Sequence, residues 1–172
     1  LTQTYTVLNG SEPNLGVNIG EANYPAHCSS SEGLLQCADI ALQASKYQGR
    51  NTALTYSEEL HKQHFAINEL ENQLRKAIDE NQLKLFLQPI VDLTTGKIVK
   101  CEALARWITP EGKFISPEVF IPLAEKSELI FPFGEWLINE ACNAIDALKG
   151  ANLDIRLAIN ISGRQVSDLA LL

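Results

Sequence analysis

Lys97-Ile98-Val99-Lys100-Cys101-Glu102-Ala103-Leu104-Ala105-Arg106-Trp107 is the stretch on which the fold turns. It reads as a β-strand whose period-two alternation puts Lys100, Glu102, Leu104 and Arg106 on one face, with Val99, Cys101, Ala103 and Ala105 on the other. Leu83 to Val91 reads as a strand before it, and Asp92-Leu93-Thr94-Thr95-Gly96 as the turn between them. So short a connection forces an antiparallel pair, because parallel strands need a crossover of a dozen or more residues. After Thr109-Pro110-Glu111-Gly112, Ser116-Pro117 starts a helix with Ser as N-cap and Pro at the first helical position. A further helix runs from about Glu135 to Lys149, with Leu137, Ala141, Ala144/Ile145 and Leu148 on one face and Gly150 as its end. Asp154 to Ser162 is a strand, with Ile155, Leu157, Ile159 and Ile161 alternating against Arg156, Ala158, Asn160 and Ser162. Ser162-Gly163-Arg164-Gln165 then has capping-box spacing and opens a last helix. An antiparallel hairpin followed by helices, a strand and a helix start is a βα repeat entering a parallel sheet or barrel.

Upstream, Leu15 to Tyr24 reads as a strand that stops at Pro25. Ser29-Ser30-Ser31-Glu32 has the S-x-x-E spacing of a capping box with Ser29 as N-cap. The helix it opens carries Leu34, Ala38, Ala41 and Ser45 along one face, Leu35 and Leu42 beside them, and Gly49 at its end. Thr52 to Tyr56 is a short closing strand. Residues 57–80, with Ile67, Leu70, Leu74, Ala77 and Ile78 at helical spacing, form a connecting helix that Asn81 ends.

Composition narrows the function classes. The 172 residues carry a net charge of −7, which argues against a general DNA or RNA surface but leaves room for a small anionic ligand. No apolar run approaches the roughly 20 residues of a membrane span, and no signal peptide is visible. The cytoplasm is the expected location. Cys28, Cys37, Cys101 and Cys142 form no CxxC pair and read as buried or free thiols, with no disulfide among them. His61 and His64, three apart on the connecting helix, read as a solvated face, and His27 as a turn residue.

Glu102 and Arg106 share a strand face near an end where α/β barrels place their sites. Burying Glu102 without a cation or donor would be costly; a structural Glu–Lys or Glu–Arg pair is the plain alternative. Asn160, near the end of an apolar strand, offers a carboxamide oxygen that could join Glu102 on a hard cation, or could simply bond nearby backbone.

These residues stand in four pieces in order: Leu87-Gln88-Pro89-Ile90-Val91, Glu102-Ala103-Leu104-Ala105-Arg106-Trp107, Phe120-Ile121-Pro122-Leu123-Ala124-Glu125 and Ile159-Asn160-Ile161-Ser162-Gly163-Arg164-Gln165. From about Leu70 to Leu172 the chain resembles the EAL domain family. The resemblance implies an α/β fold, part of a (β/α)8 TIM-like barrel with an antiparallel first strand. It implies hydrolysis of cyclic di-GMP to linear pGpG with Mg²⁺ or Mn²⁺. By motif position Glu102 and Asn160 would be metal ligands, Gln88 and Arg106 would contact substrate, and a homodimer through this domain is a further expectation.

The first half resembles the C-terminal part of a GGDEF (diguanylate cyclase-type) domain. The matching pieces are Val17-Asn18-Ile19-Gly20-Glu21-Ala22-Asn23-Tyr24-Pro25, then Ala38-Asp39-Ile40-Ala41-Leu42 with Lys46 and Gly49-Arg50-Asn51. The resemblance implies nucleotide-phosphate contacts for Lys46 and Arg50; Asn18, Gln43 and Thr52 depart from the family pattern. The expected organisation is a GGDEF-like tail at 1–57, a helical linker at 58–69 and a truncated EAL domain at 70–172. The chain would be a piece of a tandem protein, with no catalytic base of its own and inactive alone. The parent would be either a phosphodiesterase or a non-catalytic cyclic di-GMP receptor or protein-interaction module with a degenerate cyclase-like domain.

Overall fold

The computed structural model of the chain describes residues 16–166. These residues belong to two compact units that divide between Glu69 and Leu70.

In the first unit, β1 (Ile19–Glu21) and β2 (Ala53–Thr55) pair in parallel, Ile19 opposite Ala53, and α1 (Ser31–Gln48) makes the crossover. A parallel pair needs such a crossover. The helix lies close on β1 because Gly20 has no side chain: a methyl group there would collide with the backbone of Ala38 and Leu42. Its buried face is Cys37, Ala41, Ala44 and Ser45, slightly rotated from the one expected, and Leu35 is 73% exposed. The N-cap is Ser30, not Ser29. Ser30 is extended and its Oγ accepts from Gly33 N at 3.1 Å, so Glu32 falls one position short of a capping box. At the other end Asn18 Nδ2 donates to Ser45 O at 2.8 Å and to Gly49 O, satisfying carbonyls that a helix end leaves open. The first strand is much shorter than the expected Leu15–Tyr24; Leu15 itself lies outside the described residues.

Two of the four cysteines also depart from expectation. Cys28 and Cys37 are paired as a disulfide with Cα atoms 7.4 Å apart, while Cys101 and Cys142 are free thiols. The turn after β1 folds back along α1, an approach that a separation of nine residues does not announce.

Helix α2 (Glu58–Asp79) is followed by β3 (Leu83–Val91) and β4 (Ile98–Ile108), an antiparallel hairpin with Leu83 opposite Trp107 and Gln88 opposite Glu102. The turn is tied by Asp92, whose Oδ1 accepts from Thr94 N at 2.7 Å and Thr95 N at 3.0 Å, and Gly96 takes a φ of 68° that suits glycine. A two-residue strand not foreseen in the sequence, β5 (Phe114–Ile115), pairs antiparallel with the end of β4. Helices α3 (Pro117–Lys126) and α4 (Ile130–Gly150) precede β6 (Arg156–Ile159), which pairs parallel with β4, Glu102 opposite Ala158. Helix α5 (Gly163–Val166) closes the described chain.

In the second unit two further boundaries differ from those the sequence predicts. Helix α4 starts at Ile130, well before Glu135, because Pro132 sits in the first turn, where no intrahelical N–H bond is lost. Strand β6 is shorter than Asp154–Ser162, so Asn160 and Ser162 lie in the loop beyond it.

Cys101, Ala103, Ala105 and Trp107 are 5%, 3%, 8% and 0% exposed, and form the covered side of β4. Trp107 meets Phe120 of α3 edge-on at 5.9 Å, and Phe120 meets Phe133 of α4 at 5.9 Å. Edge-to-face aromatic pairs add about 0.5–1.5 kcal/mol each beyond their buried area. They offset the indole Nε1 of Trp107, which is buried without a hydrogen-bond partner.

Candidate active site

The opposite side of β4 is half-open and carries the polar residues. Paired residues of a sheet point the same way, so the register puts Lys84, Phe86, Gln88 and Ile90 of β3 beside Arg106, Leu104, Glu102 and Lys100 of β4. Arg156 and Ala158 of β6 continue the rows opposite Lys100 and Glu102. Glu102 is the fifth of eleven residues in β4, so it is not at that strand's own end. It is level with the end of β6, where the chain turns away as Asn160.

That turn makes the central contact. Asn160 Nδ2 donates to Glu102 Oε1 at 2.8 Å, joining residues 58 apart in sequence. Gln88 stands directly across the ladder from Glu102, a position whose Cβ atoms lie about 5 Å apart. Arg106 is on the same face but roughly 13 Å further along the strand at four residues' rise. Its Cζ lies 5.9 Å from the Phe86 ring centroid and its Nη1 donates to Ala105 O at 2.9 Å. Glu102, Asn160 and Gln88 are therefore brought together, while Arg106 is held apart at the rim.

Sequence reading missed the cationic surroundings. Lys84 faces Arg106 and Lys100 faces Arg156 across the ladders. Like charges placed directly opposite destabilise a sheet, and a face that accepts two such pairs favours an anionic ligand. The signal was in the sequence but needed the register to read it.

A cavity of about 420 Å³ lined by Gln73, Lys76, Gln82, Trp107, Thr109, Pro110 and Glu111 includes Trp107, from the covered side of β4, and none of these site residues. Among the described residues no group of three His, Cys, Asp or Glu side chains could hold a metal by itself. The carboxylate of Glu102 and the carboxamide oxygen of Asn160 are nonetheless hard oxygen donors of the kind Mg²⁺ and Mn²⁺ prefer. Two protein ligands suffice where water and phosphate oxygens complete the shell. His61 Nδ1 is engaged with Tyr56 OH at 3.3 Å and His64 Nδ1 with Asn68 Nδ2 at 3.2 Å. Lys46 and Arg50 are exposed at the end of α1 and just after it.

The family model for the EAL domain matches residues 71–172. The chain belongs to the EAL domain family. It is 34% identical over 151 residues to the cyclic di-GMP phosphodiesterase PdeR of Escherichia coli, covering 88% of this chain and 23% of PdeR. It is 34% identical over 172 residues to the bifunctional diguanylate cyclase/cyclic di-GMP phosphodiesterase MucR of Pseudomonas aeruginosa, covering 99% of this chain and 25% of MucR. The solved complex of PaMucR phosphodiesterase with c-di-GMP superposes with a TM-score of 0.55 at 39% identity, over 60% of this chain and 42% of that one. The chain thus spans about a quarter of the length of these two curated relatives. Among the described residues no helix is long and apolar enough to cross a membrane.

Proposed function

We propose that the protein containing this chain hydrolyses cyclic di-GMP to linear pGpG, with Glu102 and Asn160 as two ligands of a catalytic Mg²⁺ or Mn²⁺. The observation that carries this reading is the Glu102–Asn160 hydrogen bond beside Gln88, on a face ringed by Lys84, Lys100, Arg106 and Arg156. The names of PdeR and MucR support the same reading.

When bound, the ion supplies the Lewis acidity that phosphodiester hydrolysis needs, polarising a phosphoryl oxygen and acidifying water. The chain's own residues orient the substrate. Arg106 offers a planar fork of donors suited to a phosphate, stacked on Phe86. Gln88 presents an amide across from the carboxylate, able to donate or accept toward the substrate. In the overall reaction one water adds across one P–O3′ bond, leaving a 5′-phosphate on one nucleotide and a 3′-hydroxyl on the other. Further metal ligands and the group that takes the proton from water are assigned to the rest of the longer protein.

The first unit we read as the C-terminal tail of a GGDEF-like domain at 1–57, with 58–69 as linker and 70–172 as the opening part of the EAL barrel. Its parallel β1–α1–β2 unit and the MucR alignment over 172 residues support this. Lys46 and Arg50 would then face nucleotide phosphates. The site is assigned to the cytoplasm, and a homodimer through the EAL domain belongs to the same proposal.

The test is hydrolysis of cyclic di-GMP by the full-length protein with Mg²⁺ or Mn²⁺, followed by chromatographic separation of pGpG. Glu102→Ala is expected to abolish cleavage. Persistent cleavage in that variant would refute the ligand assignment, and binding without cleavage in the parent would identify a receptor.

A further inference from the structure

We infer that Glu125 is a positioning residue for Asn160, a role that rests on the proposed hydrolytic site. The ladder to β4 holds β6 only as far as Ile159 opposite Ala103. Asn160 follows in a loop, where the ladder no longer fixes its backbone, and holding its side chain against Glu102 costs entropy unless the loop is anchored. The loop is instead tied to the corner between α3 and α4. Ser162 Oγ donates to Glu125 Oε1 at 2.7 Å, a charge-assisted bond of the stronger kind. Arg164 Nη1 donates to Glu125 O and, at 3.5 Å, to Ser127 O. Gln165 is 4% exposed; its Nε2 donates to Ile130 O at 2.8 Å and its Oε1 accepts from Ser162 N at 2.8 Å.

Four side chains in six residues are therefore committed: Asn160 to Glu102, and Ser162, Arg164 and Gln165 to the corner or its cap. Helix α3, which supplies Glu125, is itself seated on β4 through Phe120 and Trp107, both 0% exposed. Both halves of the site are thus referenced to one strand. Glu102 belongs to β4 directly, and Asn160 is held to it through Ser162, Glu125 and α3. Arg164 and Gln165 grip main-chain carbonyls and set the course of α5. Among these ties Glu125 is the residue of the α3–α4 corner whose side chain reaches Ser162, two residues from Asn160.

The test uses the full-length protein with Glu125→Ala, Ser162→Ala and Glu125→Gln. For the first two, Mn²⁺ affinity measured calorimetrically with the metal alone is expected to weaken ~10–100-fold. Turnover is expected to fall by a similar factor while KM changes by about threefold or less. Glu125→Gln keeps an acceptor for Ser162 and is expected to restore both to within about threefold. If Glu125→Ala does not fold, Ser162→Ala decides, since it removes one hydroxyl. Parental Mn²⁺ affinity and turnover in the two alanine variants, or losses that Glu125→Gln does not rescue, would overturn the inference. A metal-free crystal structure of the Glu125→Ala or Ser162→Ala variant separates this from failure of the hydrolytic reading. Loss of the 2.8 Å Asn160–Glu102 bond supports positioning whatever the site catalyses, and its retention overturns it.

Discussion

At the scale of single residues, Arg106 is held by its neighbours in the sheet. Its Cζ lies 5.9 Å from the Phe86 ring centroid and its Nη1 donates to Ala105 O, contacts that would lower the ordering cost of the proposed phosphate binding. Lysine would keep the charge but not the plane or the fork of donors. Arg106→Lys in the full-length protein is expected to lower kcat/KM for cyclic di-GMP ~10–100-fold, about 1.4–2.7 kcal/mol of transition-state stabilisation. Steady-state hydrolysis rates measure it, and an unchanged kcat/KM would remove Arg106 from the site. Asn160→Ala is expected to weaken Mn²⁺ affinity by at least ~10-fold, read by calorimetry with the ion alone; undiminished affinity would remove Asn160 from the metal. The facing of Glu102 was legible in the sequence, because Cys101, Ala103 and Ala105 alternate with it and a strand has period two. The stacking of Arg106 on Phe86 was not. It joins residues of two strands, and only the register decides which of them meet.

At the scale of elements, the β3–β4 turn carries its own pH dependence. The backbone N–H groups of Thr95 and then Thr94 hold the Asp92 carboxylate below its usual range. A carboxylate with a lowered folded-state pKa contributes stability that is present above its unfolded value near 4. That contribution disappears as pH falls through the lower folded value. Melts of the protein between about pH 5 and 2 are expected to show a steeper acid loss in the parent than in Asp92→Asn, an effect kept small by full solvent exposure. Equal slopes would mean that the turn does not use the charge.

In the first unit the sensitive contact is steric. Gly20→Ala pushes a methyl group into the backbone of α1 and is expected to cost about 3 kcal/mol or more, beyond ordinary overpacking, because backbone cannot swing aside. Chemical denaturation followed by circular dichroism tests this; a loss under 1 kcal/mol, about one overpacked methylene, would show that α1 can lift. The antiparallel hairpin was legible because a five-residue turn permits nothing else. The start of α4 was not, since Pro132 reads as a break until its place in the first turn is known. Nor was the Cys28–Cys37 pairing, which depends on how the turn between them folds.

At the scale of the molecule, an acidic chain of net charge −7 keeps Lys84, Lys100, Arg106 and Arg156 on one sheet face. Net charge spoke against nucleic-acid polymers, yet the local sign of the site was invisible until the strands were registered. Among the described residues β3 and β6 each pair only with β4, so both present backbone groups that a closed barrel would pair. Phe86, Ile90, Val91, Ile98 and Val99 are exposed along the hairpin, and such surface beside an open edge invites association. The 172-residue chain alone is therefore expected to bind a hydrophobic dye, to associate with rising concentration in sedimentation at tens of micromolar, and to release no pGpG with Mg²⁺ or Mn²⁺. Val91→Lys, a charge near the end of the β3 edge, is expected to weaken association without restoring cleavage. A monomeric, dye-free chain would show that the open sheet is covered in solution. Cleavage by the chain alone would mean that the described face already holds a complete site.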